Sequence, residues 1–295
     1  MDSKVDYRVN SKENVYFYIR LIISLGMYYL LLMLIIMSLK VTDTELMPVL
    51  VTYFYIFLII VLIFFQLGLM IGNLKGNAIK LSINQFTDIY QIAQKQAALL
   101  GLKTVPSIYI MQSGGALNAF AARFMGRNYI ILYSEIVETA YNQDKAIIEF
   151  IIGHEMGHIK RNHSIKNLLL WPSYLIPFLG SAYSRACEYT CDTIGQALCP
   201  AGVNAGLLVL ASGKTIYKRV NLNEYLRQNI SEDGFWKWFA EKVSSHPNLT
   251  RRLDALSDYK PSAISAGRDA LIEQLVNEPV TVVKKEDDHS RFFPQ

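Results

Sequence analysis

The sequence predicts a mainly helical α+β chain, with two membrane-crossing helices followed by a domain of helices around a small β-sheet. Three observations predict it. Two long uncharged runs fill most of the first 75 residues. Short β-rich runs with turn residues around them lie between 105 and 135, and helical periodicity governs most of the chain beyond residue 135.

From Leu21 to Leu39 nineteen residues carry no charge, and a second uncharged run extends from Leu46 to Leu74. Each is long enough for a helix rising 1.5 Å per residue to cross about 30 Å of hydrocarbon. A cleaved signal peptide fits the first run poorly. Its apolar part is too long, acids and bases mix in front of it, and no small-residue cleavage site comes after it. Lys4, Arg8, Lys12 and Arg20 precede the first span, and Lys75 and Lys80 come after the second. The connection holds Lys40 beside Asp43 and Glu45. This asymmetry predicts a multi-pass protein of the cell membrane, with the N-terminus and everything after residue 75 cytoplasmic.

Three parts are therefore expected: an N-terminal segment with a two-helix hairpin (1–75), a cytoplasmic domain (76–279) and a charged flexible tail (280–295). The net charge of +4, with no Lys/Arg-rich stripe, argues against a nucleic-acid partner. Cys187, Cys191 and Cys199 do not make a secreted disulfide framework and are read as reduced thiols.

Within the domain, FTDIYQIAQKQAALLGL is an amphipathic helix closed by Gly101. SIYIM and NYIILY are strands, and the alternation in Asn118 to Arg123 between them suits an edge strand. SEIVETAYN reads as a helix from Ser134. Asn142 is expected to cap the next one, with Asp144 in its first turn. LLLWPSYLIPFLG, thirteen residues with Pro172 and Pro177 inside, is too short for a span and reads as a buried or interfacial piece. SAYSRACEYTCDTIGQAL, VNAGLLVLASGKTIYK and FWKWFAEKV are helical.

The chemistry lies in IIGHEMGHIKRNH, residues 151 to 163. On a helix His154 and His158 share a face and can meet one ion, with Glu155 turned about 100° from His154. That is the arrangement of zinc proteases with the glutamate as general base, and its chance occurrence at this composition is on the order of a few per thousand. Catalytic zinc needs a third protein ligand and an open position. Glu188 and Asp192, four apart on a later helix, supply a His₂Glu set and a carboxylate able to accept the N–H of a zinc-bound histidine. Arg185, three residues before Glu188, is expected to hold its carboxylate. His163 reads as a solvated helix-end residue and His289 as part of the tail.

HEMGH followed by SRACEYTCD resembles the HtpX-like and CAAX prenyl protease family of membrane zinc metallopeptidases, with Cys191 where that family usually has alanine. LNAFAARF is similar to the family's Asn-Ala-Phe-Ala segment, and SSHPNLTRRLDAL to its His-Pro segment. The resemblance implies a zincin-like metallopeptidase domain with one Zn²⁺ per chain. It also implies substrate binding along Asn118, Ala119, Phe120 and Ala121, and His246 as an oxyanion donor, with Arg252 supporting that segment. Two further spans common in bacterial HtpX members are missing between the zinc helix and the glutamate.

The expected function is a membrane-anchored zinc endopeptidase of gluzincin type, cleaving membrane or unfolded proteins at the cytoplasmic face. Its partners are protein or peptide substrates and the lipid bilayer. Two alternatives remain open: a processing peptidase for one membrane-bound or lipidated precursor, and a non-catalytic scaffold with structural zinc.

Overall fold

The computed structural model describes residues 5–38, 43–112, 114–115 and 117–257. The expected tail, the last part of the expected 76–279 domain and His289 lie outside the described residues. Two long helices come first, α1 (Ser11–Ser38) and α2 (Asp43–Asn77), each long and apolar enough to cross a membrane. Most of their length is bare of protein contact, as lipid-facing helices require. Yet α1 starts ten residues before its apolar run. Glu13, Arg20 and Ser24 are buried, because these first turns pack along a helix of the domain that comes after α2.

That domain opens with β1 (Ile79–Lys80) and α3 (Thr87–Leu99), and α3 is closed near Gly101, whose φ is 63°. Next come β2 (Ser107–Met111), β3 (Ala119–Phe124) and β4 (Arg127–Tyr133). The sheet order is β1-β2-β4-β3, with β2 parallel and β3 antiparallel to β4. The β3–β4 hairpin turns on Met125 and Gly126, both at positive φ, which suits the twist of a two-residue loop. One sheet face meets the end of α2, where Ile71 and Leu74 pack with Tyr109, Tyr129 and Ile131.

Helices α4 (Ser134–Asn142) and α5 (Lys145–Lys160) are next in the chain. Asp144, not Asn142, caps α5: its side chain accepts from the Ala146 N–H, and Asn142 closes the preceding helix. α6 (His163–Leu169) leads into a 3₁₀ turn at Trp171–Leu175, and α7 (Leu179–Leu198) then runs back across α5. α8 (Val203–Ser212), α9 (Leu222–Ser231), α10 (Phe235–Val243) and α11 (Leu249–Ser257) follow within the described residues. Cys187, Cys191 and Cys199 are buried and free.

Candidate metal centre

The core of the domain is the crossing of α5 and α7. α5 is buried from Ile147 to Met156 except at Glu149, with two glycines toward α7. A Cβ on Gly157 would lie 3.2 Å from the Cα and Sγ of Cys191, and one on Gly153 3.3 Å from the Cα of Gly195. The absence of side chains lets the two backbones approach until Glu188 stands against His154 and His158.

The three donors converge. His154 Nε2 and His158 Nε2 are 3.3 Å apart. Glu188 Oε2 lies 3.4 Å from the first and Oε1 3.3 Å from the second. Tetrahedral bonds of 2.0–2.1 Å place neighbouring ligand atoms about 3.3 Å apart, so the set has the span zinc demands. Glu188 Oε2 is also a buried oxygen with no hydrogen-bond partner among the described residues. Burial opposes the charge on Glu188, but the facing imidazoles of His154 and His158 hold its carboxyl well below the ordinary range. Burial likewise works against a charged His154, yet Asp192 and Glu188 push it up to about 10. A site that retains a proton so strongly is electronegative, and a cation can take the proton's place.

Each histidine is oriented from behind. Asp192 Oδ1 stands 2.9 Å from His154 Nδ1, which directs Nε2 toward Glu188. Asp192 is in turn gripped by Arg252, whose Nε and Nη2 donate at 2.8 and 2.6 Å. Against its burial, that guanidinium is the first cause keeping Asp192 ionised. On the other side His163 Nδ1 lies 3.1 Å from His158 Nδ1, and His163 Nε2 lies 3.3 Å from Glu13 Oε1 on α1. Burial lowers His163 to about 4 despite Glu13, so the ring is neutral. The consistent proton placement has His163 Nε2–H donating to Glu13 and Nδ1 accepting from His158, whose Nε2 lone pair then faces Glu188. Glu13 also receives Arg161 at 2.8 Å.

Three expectations change. His163 is buried, not solvated, because the left-handed Asn162 (φ 56°) turns α6 so that its first residue faces inward. Arg185 is engaged elsewhere: its Nη1 donates to the carbonyls of Glu241, Lys242 and Ser244 at 2.7 to 2.9 Å. Those carbonyls lie at the end of α10, where a cation is favoured. Arg252 sits on Asp192, with its Nη1 3.6 Å from Glu188 Oε2, and it is Arg185 that braces the segment leading to His246.

Glu155 lines a groove made of two adjoining cavities that share His154, Glu188, His246 and Ala119. Phe120 and Ala121 border one lobe; Asn118, Ile136, Phe150 and Leu210 border the other. β3 is an edge strand of the sheet. His246 is on the rim, its side chain 63% exposed and its Nε2 3.6 Å from Glu188 Oε1. Its Nδ1 lies 2.9 Å from Ser245 Oγ. Sequence reasoning missed Glu13 and the inward turn of His163. The only signal for the latter was Asn162, a residue type that tolerates left-handed backbone.

Donors of this kind, with an uncommitted acid at the mouth of a groove, define a metal-dependent peptidase of the HExxH class. The profile of Peptidase family M48 matches residues 84–172 and 168–260, more than half of the chain, and the chain belongs to that family of metallopeptidases. It is 25% identical over 191 residues to the plastoglobule-localized metallopeptidase 48 of Arabidopsis thaliana, covering 58% of this chain and 52% of that protein. It is 28% identical over 91 residues to the CAAX prenyl protease 1 homolog of Dictyostelium discoideum, covering 31% of this chain and 21% of that protein. The chain thus spans about half of the one relative and a fifth of the other. The crystal structure of S. mikatae Ste24p is similar at 18% identity and a TM-score of 0.43, over 82% of this chain and 66% of that one.

Proposed function

We propose that this chain is a membrane-anchored zinc endopeptidase of gluzincin type, with one zinc ion held by His154, His158 and Glu188. Its substrates are extended segments of membrane or unfolded proteins at the cytoplasmic face of the cell membrane. The observation that carries the reading is Glu155, a carboxylate outside the donor set that lines both lobes of the groove.

When bound, zinc polarises the scissile carbonyl and acidifies water. Glu155 takes the proton of the water that attacks the carbonyl carbon and delivers it to the leaving nitrogen as the C–N bond breaks. His246, accepting the Ser245 hydroxyl on Nδ1, directs an Nε2–H at the developing oxyanion. Arg185 steadies that rim through the carbonyls of α10 and Ser244. The outer edge of β3, from Ala119 to Ala121, offers backbone groups to an extended peptide. The lobe bordered by Ile136, Phe150 and Leu210 suits a large apolar side chain of that peptide. The residues flanking the two spans support a cytoplasmic catalytic domain.

The test is the full-length protein in detergent with casein. Glu155→Gln is expected to retain one zinc per chain and to lose turnover by about 10²-fold or more. If the zinc-loaded wild type cleaves neither casein nor itself, a membrane scaffold with structural zinc replaces the proposal. A second reading, processing of one lipidated or membrane-bound precursor, draws on the similarity to the prenyl protease homolog. A membrane-proteome comparison of wild type with Glu155→Gln separates the two: one accumulating precursor favours processing, and many damaged proteins favour quality control.

A further inference from the structure

We propose that two surface segments far apart in the chain, Leu168–Leu175 and α10, form one aromatic wedge seated in the interfacial layer of the bilayer that α1 and α2 cross. This placement is independent of the catalytic reading.

The first segment is tied to the membrane helix itself. Arg20 donates to Ser173 Oγ, Asn167 Oδ1 and the carbonyl of Leu170. Ser24 Oγ donates to the same carbonyl, and Tyr28 Oη to that of Leu169. Arg20 is the last charge before the apolar run of α1, and Tyr28 lies about 12 Å further along the helix axis. Tyrosine side chains lean back toward the N-terminus, so the segment runs beside α1 for one to two turns past its last charge. Its outward side chains suit that depth: Leu168 is 71% exposed, and Trp171 and Leu175 are exposed beside it.

The second segment continues the surface. The rings of Phe178 and Phe239 are 6.1 Å apart, and Phe239 stacks on Phe235 at 5.8 Å. Ser181 on α7 meets the carbonyl of Lys242. Passing from Lys242 to Phe239 along α10 therefore tracks α7 backwards, from Ser181 to Phe178, toward the segment bound to α1. The free end of α10 points the same way and carries Phe235 and Trp236, the latter 77% exposed. The chain has only three tryptophans, Trp171, Trp236 and Trp238, and all are exposed on these two segments. Tryptophan favours the membrane–water interface, where the ring is half in hydrocarbon and its N–H is wet. Lys242 Nζ, 5.7 Å from the Trp238 ring, suits a charge kept at headgroup level while its stem covers apolar surface. A contiguous apolar surface joined to a membrane helix by hydrogen bonds fits lipid better than a separate protein.

The experiment is tryptophan fluorescence of the full-length chain in phosphatidylcholine vesicles whose acyl chains are brominated near the headgroup or near the terminal methyl. W171F/W238F leaves Trp236 alone, and W236F/W238F leaves Trp171 alone. For both, shallow bromine is expected to quench emission by about half and more than deep bromine does, with aqueous iodide ineffective. Iodide quenching of Trp236 without bromolipid quenching overturns the proposal, since the ring is then in water. Shielding from both quenchers also overturns it, because a second copy or another protein then covers the surface. Stronger quenching by deep bromine overturns the interfacial placement.

Discussion

At His163 each imidazole nitrogen has a different neighbour, His158 at 3.1 Å and Glu13 at 3.3 Å. The ring passes the orienting effect of a carboxylate on α1 to the second histidine of the candidate centre, as Asp192 does directly for the first. Removing such a partner from a zinc histidine typically costs 10–100-fold in metal affinity. His163→Ala is therefore expected to weaken zinc binding by about 10-fold or more. His163→Asn, whose side-chain oxygen can replace the Nδ1 acceptor, recovers most of the loss. Competition with a chromogenic chelator measures both, and equal affinities for wild type and His163→Ala would remove the role. Nothing in the sequence marks Glu13 for this part, because it is 150 residues from His163 in a stretch that reads as a generic leader to a span. The position of Glu188 against the two histidines was readable because a missing third donor is a definite question with few acidic answers at helical spacing.

Among the elements, the α5–α7 crossing sets the geometry of the site more than any single donor does. Gly157→Ala places a methyl 3.2 Å from the backbone Cα of Cys191, and α7 cannot yield there without carrying Glu188 away from the histidines. The substitution is expected to cost about 1–3 kcal/mol by overpacking and to lower zinc affinity at the same time. Thermal unfolding and the chelator titration read the two effects, and an unchanged zinc affinity would mean that the pair has slack. Both helices were readable from motif and period. The crossing was not, since glycine at 153 and 157 signals close approach only once the facing helix is known. Arg185 shows the same limit. Three residues before Glu188, it is near the carboxylate in sequence, yet tertiary contact carries it to the end of α10.

For the whole molecule, metal removal and pH act through one coupled centre. In chelator, His154 titrates near 10, above its ordinary 6.5, so its pairs with Asp192 and Glu188 stabilise the fold fully below 6.5. That contribution is lost as pH rises through about 10. The melting temperature of the chelated protein should fall over that interval, whereas the zinc-loaded protein, in which the ion replaces the proton, should not share the decline. Differential scanning fluorimetry with and without chelator decides the matter, and parallel curves would contradict it. The two long apolar helices, the three longer strands and most other helices were readable from apolar length and period. The two-residue strand β1 and the burial of Glu13, Arg20 and Ser24 were not, because both arise from packing between distant parts of the chain.

The supports of the centre are spread from Glu13 to Arg252. A chain emerging from the ribosome has its first long apolar helix early and both histidines midway, but the guanidinium that fixes Asp192 arrives only when α11 has been made and has docked. Until then Asp192 lacks the cation that holds it beside His154. In the proposed peptidase, the centre would therefore be complete only after nearly all of the described chain has been made.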